Sequence, residues 1–259
     1  MNHLVKYLLI FLCISGSVFA SAKKQPWVQR LEPTFWWTDM KNPELQLSVY
    51  GNEISSAEFT VSYPGVTIAR KELTDNPNYV FLYLKIEKGT IPGKFSIELK
   101  KGKLKQKLVY ELKSRRLESA NRESFTSADA IYLIMPDRFV NGNSANDSVK
   151  GYYQGVDRKS LAKRHGGDID GIISKIPYLA DLGITALWTT PLFDNNDTAY
   201  SYHHYGCTDY YKIDPRFGKN EDYPRMVDVC HANGIKTIID VVPNHCCSQH
   251  WWLKDKPAK

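Results

Sequence analysis

The chain has 259 residues, of which 42% are hydrophobic and 12% aromatic, and its formal net charge is +6. This length and apolar content can bury real hydrophobic cores and favour one large or two ordinary domains, of which we expect two. The basic excess lies in the first half, where its densest run, residues 100–107, alternates like a strand with one solvated face. Because no aromatic side chains interleave with these lysines, we expect no nucleic-acid partner.

Residues 1–20 have the pattern of a secretory signal peptide. Lys6 precedes a nearly continuous apolar run, residues 7–19, which ends in residues suited to cleavage after Ala20. A membrane anchor is the alternative, but the apolar run is too short to span a bilayer comfortably. We therefore expect an exported, periplasmic protein that is cleaved near Ala20 and has no stable membrane insertion.

Cleavage there would remove Cys13 and leave four cysteines in a compartment where disulfides persist. Their spacing fixes no connectivity. Cys230 falls on the apolar face of a predicted helix, so it should be a core residue. Cys207 and the pair Cys246 and Cys247 fall in predicted loops, and a bridge between those loops is an open alternative to free thiols.

Residues 21–113 show short β-type runs separated by turn residues such as Pro64-Gly65 and Pro92-Gly93, with no helical period. Evenly spaced runs of this kind predict an N-terminal all-β, immunoglobulin-like sandwich. The predicted strands are 45–50, 58–63, 79–86, 94–99 and 104–112.

The polar segment 114–129 suits a linker, and after it the pattern changes to alternating strands and helices. Strands are predicted at 130–135, 184–190 and 235–242, with one helix at 169–182 and a second ending at Gly234. This βαβαβ order predicts that residues 130–259 are the first part, about three βα units, of a TIM (β/α)8 barrel. Because a closed barrel needs eight strands in about 250 residues, we expect this chain to be the N-terminal portion of a longer protein.

A loop rich in amides and carboxylates follows the first predicted barrel strand. Asn and Asp side chains crowd residues 141–147, and Gly166, Gly167 and Asp168 lie at the start of the next helix. Closely spaced hard oxygen ligands in a glycine-containing loop are what Ca²⁺ requires. Asn and Asp are equally common in plain turns, so a loop without metal is the alternative.

Two further groups of polar and aromatic residues follow the next two barrel strands. Loop 194–218 crowds tyrosines and histidines, which offer flat faces to sugar rings and hydrogen bonds to hydroxyls. Ordinary loop packing is one alternative, and a weaker one is a His-His metal site, for which no spaced carboxylate is present. Asn244 and His245 follow the strand at 235–242, at the barrel edge that carries active sites.

Together, in this order and spacing, the three groups resemble glycoside hydrolase family thirteen, the α-amylase superfamily, and most closely its neopullulanase and cyclomaltodextrinase branch. The leading β-sandwich is also what that branch carries. The stretch HHYGCTDYYKIDPRFG, residues 203–218, and residues 244–257 further resemble the periplasmic starch-utilisation neopullulanases of Bacteroidetes.

The resemblance implies two sets of site residues. Tyr205 would stack on the sugar next to the scissile bond, His245 would hydrogen-bond its hydroxyls, and His203 would be a second contact. Asp240 and Asn244 would shape the same site. A structural Ca²⁺ would be held by Asn141, Asn143, Asn146, Asp147, the carbonyl of Gly166, and Asp168. Relatives usually place Asp at position 143, and the lost charge would weaken affinity without abolishing the site.

The implied reaction is retaining hydrolysis of α-glucans: starch, maltooligosaccharides, cyclodextrins or pullulan. An Asp nucleophile and a Glu acid/base must lie about 5 to 5.5 Å apart across the scissile bond. In the family these groups and a third Asp come from later strands, so we expect them beyond Lys259 and assign no catalytic residue in this chain.

The competing hypotheses are non-catalytic. The sandwich could bind glucan through Trp27, Trp36 and Trp37, although packing is the favoured role for these side chains. It could instead mediate a homodimer, as the resemblance to cyclomaltodextrinases would imply.

Overall fold

The computed structural model describes residues 26–119, 121 and 124–258. The predicted signal peptide at residues 1–20, with Cys13, lies outside the described residues. Within the described ranges, no helix combines the length and apolar character needed to cross a membrane.

The first unit is a β-sandwich of two four-stranded sheets. One sheet has the order β1-β3-β6-β5 and the other the order β2-β8-β7-β4. All neighbours are antiparallel except β2 and β8, which are parallel. The strands are β1 (Val28–Glu32), β2 (Trp36–Trp37), β3 (Glu44–Gly51), β4 (Glu58–Val61), β5 (Val66–Leu73), β6 (Tyr79–Ile86), β7 (Gly93–Lys101) and β8 (Leu104–Lys113).

The sandwich core comes from the period of two in these strands, which turns alternate side chains inward. Leu45, Leu47 and Val49 of β3 are nearly fully buried, and they meet the inward side chains of the other sheet, such as Ile97 and Leu99. The predicted all-β sandwich is confirmed. The sequence pattern missed β1 and β5, which are the two edge strands of one sheet; most of β5 is exposed, so it shows no buried alternation.

The second unit holds three parallel strands in the order β13-β10-β9. Helices α1 and α2 pack beside each other on one face of this sheet, where Ile172, Ile176, Met226 and Cys230 are fully buried. A short antiparallel pair, β11 and β12, follows β10. The elements are β9 (Ile131–Ile134), α1 (Ile169–Asp181), β10 (Ala186–Thr189), β11 (Phe193–Asp194), β12 (Asp209–Ile213), α2 (Asp222–Ala232), β13 (Lys236–Ile239) and α3 (Trp251–Lys254).

This arrangement is the first part of a (β/α)8 barrel, as the alternating pattern predicts. The predicted core position of Cys230 is also confirmed. Strand β13 ends at Ile239, short of the predicted residue 242. One of its edges has no partner strand among the described residues, and residues 240–243 are irregular. The sheet face opposite the helices is open: Leu133 is 55% and Trp188 37% exposed.

Contacts from the end of the chain join the two units. The Trp251 ring stacks on Tyr79, with ring centroids 6.0 Å apart, and also touches Tyr50. The Asp255 carboxylate accepts hydrogen bonds from the Tyr50 hydroxyl (2.9 Å) and from Asn78 Nδ2 (2.8 Å). The segment after β13 is therefore anchored on the sandwich.

Candidate functional site

Three long loops leave the carboxyl ends of β9, β10 and β13 and meet at one edge of the parallel sheet. They span residues 135–168, 190–218 and 240–250. In parallel α/β folds this edge collects polar side chains from several strands, because every strand ends on the same side.

The residues predicted to contact sugar lie together at this edge. The Tyr205 hydroxyl donates to Asp240 Oδ2 (3.2 Å), and His245 Nε2 donates to the Tyr205 carbonyl (3.1 Å). Asn244 Nδ2 lies 3.1 Å from His245 Nδ1, which accepts its hydrogen. The His203 and Tyr205 rings are 5.7 Å apart. All five predicted residues thus belong to one cluster.

The cluster is open to solvent and polar at its base. Tyr205 is 38% exposed, and Asn244 and His245 are also exposed. Asp240 sits lower, half-buried, and accepts a second hydrogen bond from Trp188 Nε1 (3.2 Å). Aromatic faces beside hydrogen-bonding groups make a surface that fits a hydroxylated ring.

His204 lies between two of these residues, and its side chain points into the protein. Its backbone is left-handed, with φ 64°, and its ring is fully buried. Nδ1 donates to the Phe193 carbonyl (2.8 Å), and Nε2 accepts from Arg164 Nη1 (2.7 Å). Burial lowers the pKa of His204 to about 3, so the ring is neutral and acts as a fixed support.

A buried ionic network lies beneath the same loop. Asp214 accepts from Arg216 Nε (2.9 Å) and Nη2 (2.7 Å) and from the Asn195 amide (3.0 Å). Arg216 also donates to the carbonyls of Asn195 (2.6 Å) and Gln154 (2.7 Å). Burial alone would raise the pKa of Asp214, but the hydrogen bonds and charge of Arg216 outweigh it and lower that pKa. Through Gln154 and Asn195, the network holds the loop after β9 against the loop after β10.

The residues predicted to hold Ca²⁺ also converge. Asn141 Nδ2 donates to Asp147 Oδ1 (2.6 Å), and a Cβ placed on Gly166 would lie 2.7 Å from that same oxygen. Asp168 caps α1 by accepting from the Gly171 amide (2.7 Å). It also accepts from the Gly142 amide (3.0 Å), the Asn143 amide (2.8 Å) and Asn146 Nδ2 (3.4 Å).

One oxygen of this cluster has no hydrogen-bond partner among the described residues. It is Oδ1 of Asn146, which is buried, and leaving such an atom unpaired is costly. The chemistry of the set, amide and carboxylate oxygens with a backbone carbonyl, fits a hard cation. Asn143 Oδ1 accepts from the Ala145 amide (3.1 Å) and both Asp168 oxygens accept hydrogen bonds, so these two residues serve the loop itself as well. Among the described residues no three His, Cys, Asp or Glu side chains converge as a metal site.

Each of the two units matches a known protein family. The model described as "Alpha amylase, catalytic domain" matches residues 133–259, and "Cyclomaltodextrinase, N-terminal" matches residues 30–116. The barrel portion thus matches the α-amylase catalytic domain, and the sandwich matches the N-terminal domain of cyclomaltodextrinases. The resemblance inferred from the sequence motifs is therefore confirmed at the level of the superfamily.

Curated relatives match just under half of the chain. A cyclomaltodextrinase of Thermoanaerobacter pseudethanolicus is 46% identical over 124 residues, which is 47% of this chain and 20% of that protein. Maltogenic alpha-amylase of Bacillus acidopullulyticus is 43% identical over 114 residues, 44% of this chain and 19% of that protein. Neopullulanase 2 of Thermoactinomyces vulgaris is 43% identical over 129 residues, 48% of this chain and 21% of that protein. The chain spans about one fifth of the length of these relatives. The specific likeness to Bacteroidetes proteins stays a prediction.

The structure adds residues to the superfamily site that the motifs did not single out. Trp188 lies inside β10, where an apolar run indicates only a buried strand, yet it contacts Asp240. Arg164 supports His204 from a distant loop, and Asp214 with Arg216 forms the ionic base. For Arg164, Asp214 and Arg216 the one sequence signal is charge, which does not by itself indicate burial.

Proposed function

We propose that the whole protein is an exported, retaining α-glucan hydrolase of the cyclomaltodextrinase or neopullulanase type. In this proposal the chain supplies the N-terminal sandwich and part of the substrate-binding edge of the barrel. The observation that carries it is the cluster of Tyr205, Asp240 and His245 at the carboxyl edge of the parallel strands. The match to the α-amylase catalytic domain and the names of the relatives support the substrate class: starch, maltooligosaccharides, cyclodextrins or pullulan.

In this proposal the chain's own residues bind and orient one sugar of the glucan. The Tyr205 ring stacks on the sugar face, while His245 and His203 hydrogen-bond its hydroxyls. Asp240 holds the Tyr205 hydroxyl, and Asn244 fixes the orientation of the His245 ring. We assign neither the nucleophile nor the acid/base to this chain, because its buried carboxylates are committed elsewhere: Asp168 caps α1 and Asp214 pairs with Arg216.

Binding of β-cyclodextrin to the purified chain, measured by calorimetry, tests this assignment. Tyr205→Ala should weaken binding about fivefold or more, since a stacked aromatic face contributes about 1 kcal/mol. Tyr178→Ala is the matched control, because Tyr178 is 59% exposed on α1, away from the cluster. Equal affinity of the wild type and Tyr205→Ala would refute the assigned role.

We also propose a structural Ca²⁺ bound by Asn141, Asn146, Asp147 and the Gly166 carbonyl, with Asn143 and Asp168 completing or bracing the site. The unpartnered Asn146 oxygen supports it. The ion would hold the loop after β9 against the start of α1. Adding CaCl₂ after EDTA treatment should raise the melting temperature of the wild type and of Asp181→Ala, and should leave that of Asp147→Ala unchanged. Identical shifts in both variants would exclude this site.

Export to the periplasm is proposed from the sequence of residues 1–20. Producing the chain with its own N-terminus in a Gram-negative host and fractionating the cells tests it. The expected result is a periplasmic product whose N-terminal residue is Ser21. An uncleaved product that remains in the cytoplasm would contradict the proposal.

A homodimer through the sandwich is a second proposal with its own observation. Val109 on β8 is 67% exposed and alternates with the buried Tyr110, so it points outward from that sheet. Sedimentation velocity of the wild type and Val109→Lys should show a dimer that the variant weakens. By contrast, glucan binding through the sandwich tryptophans has less support: Trp36 packs on the core and Trp27 Nε1 donates to the Asn52 carbonyl.

A further inference from the structure

Three cysteines surround the point where the two sugar-contacting loops meet. Cys207 lies two residues after Tyr205, and Cys246 and Cys247 directly follow His245. All three are free thiols, with Cys207 and Cys247 buried and Cys246 half-buried. The Cys247 amide donates to the Cys207 carbonyl (2.9 Å). This bond brings the two loop segments side by side at Cys207, and a disulfide needs Cα atoms about 4.4–6.8 Å apart.

The contacts of the Cys247 side chain indicate which of the two later cysteines faces Cys207. The Cys247 Cβ lies 3.6 Å from where a Cβ on Gly206 would stand, and its sulfur accepts from the Gln249 amide (3.3 Å). Cys247 is thus turned toward Gly206 and its own following turn. Cys246, the adjacent half-buried residue, is then the remaining candidate partner for Cys207.

A shared neighbour supports this pairing. The Tyr210 hydroxyl donates to the His245 carbonyl (2.7 Å), which places the ring beside Cys246 and three residues from Cys207. Burial raises the pKa of the Cys207 thiol to about 12, and the charges of Asp209, Asp194 and Cys246 add to the rise. The Cys247 thiol has surroundings of its own, where burial and a hydrogen bond with Asp197 raise its pKa.

We propose that Cys207 and Cys246 form a disulfide bond that ties the loop carrying Tyr205 to the loop carrying His245. The bond forms by exchange with a small-molecule disulfide such as oxidised glutathione. The Cys246 thiolate attacks one sulfur of this oxidant and releases one glutathione thiolate, leaving a mixed disulfide. The Cys207 thiolate then attacks the Cys246 sulfur, the protein disulfide forms, and the second glutathione thiolate leaves. Two cysteine protons are lost, and the oxidant gains two electrons.

The burial of Cys207 determines when this bond forms. A thiol with a pKa near 12 is almost entirely protonated at neutral pH, so exchange in the folded protein is slow. Formation therefore accompanies folding in an oxidising compartment. The bond does not depend on the proposed hydrolase activity, and its effect is to hold Tyr205 and His245 at a fixed separation.

Peptide mapping of the full chain, folded in a buffer of oxidised and reduced glutathione, tests the proposal. Free thiols are alkylated, and the protein is digested with trypsin without reduction. We expect one cross-linked pair, joining peptides 176–212 and 237–254, which reductant separates. Because Cys246 and Cys247 share the second peptide, fragmentation between them locates the bond directly in the wild type.

Two matched variants give the same answer independently. Cys246→Ser should abolish the cross-link, and Cys247→Ser should retain it. Alkylation of both Cys207 and Cys246 in the oxidatively folded wild type would overturn the proposal. A bond from Cys207 to Cys247, seen by fragmentation or as a cross-link that persists in Cys246→Ser, would overturn it too.

Discussion

Replacing Asp214 by Asn should strongly destabilise the barrel unit. Asp214 and Arg216 are both essentially inaccessible to solvent, and Asp214 accepts two hydrogen bonds from the guanidinium at 2.7 and 2.9 Å. Asn keeps the shape of the side chain but removes its charge, which leaves the Arg216 charge buried without a counter-ion. Breaking a buried pair in this way costs about 3–5 kcal/mol, a large share of the stability of an ordinary domain.

Urea unfolding, followed by tryptophan fluorescence and far-ultraviolet circular dichroism, measures this loss. Asp170→Asn is the control, because Asp170 pairs with Arg225 on the surface at 2.5 Å, with both side chains 40% or more exposed. Exposed pairs contribute no more than about 1 kcal/mol. If Asp214→Asn lost less than about 1 kcal/mol, or no more than Asp170→Asn, the inference that this network holds the loops would be wrong.

Three further predictions concern pH, the contact between the units and the sandwich core. Burial lowers the pKa of His204 to about 3, whereas an unfolded histidine titrates near 6.5, so the unfolded chain binds more protons between these pH values. The melting temperature should therefore fall as the pH decreases from about 6.5 towards 3. His204→Gln should flatten that pH profile, and an unchanged profile would contradict the buried neutral ring. Asp255→Ala should speed tryptic cleavage after Lys254, seen by mass spectrometry, because it removes the acceptor that anchors the terminal segment; an equal rate would argue against that anchor. In thermal or urea unfolding, Leu82→Ala should lower the free energy of unfolding by about 2–5 kcal/mol, because Leu82 is fully buried. Val109→Ala is the control and should lower it by under about 0.5 kcal/mol, because Val109 is 67% exposed. Similar losses in the two variants would mean that the core is assigned wrongly.

The elements with strong periodicity could be predicted from the sequence. Strand β6 has the predicted bounds, residues 79–86, because both its faces are largely apolar and turn residues flank it. Helix α1 ends within one residue of its prediction, since four isoleucines mark its buried face and Gly183 ends it. Strand β5 could not be predicted in this way. Its outward charged residues lie on an edge strand, where pairing with β6 rather than burial defines the strand.

The exposed, sugar-contacting residues of the candidate site could be located from the sequence, but the buried residues that support them could not. Tyr205 and His245 follow predicted strands, and parallel strands bring their carboxyl ends together whatever the details of the loops. The partnership of Arg164 with His204 spans 40 residues and depends on how two irregular loops pack. Charged residues suggest solvent exposure, and only tertiary packing reveals that Arg164 is completely buried.

The anchoring of Asp255 on the sandwich imposes an order of assembly on the chain. Tyr50 and Asp255 are separated by 205 residues, and the chain emerges N-terminus first, so their contact forms only after Asp255 has been synthesised. At a synthesis rate of about 5–20 residues per second, Tyr50 precedes Asp255 by about 10 s or more. The surface of Tyr50 and Tyr79 is therefore made early, before the segment around Trp251 and Asp255 that packs on it.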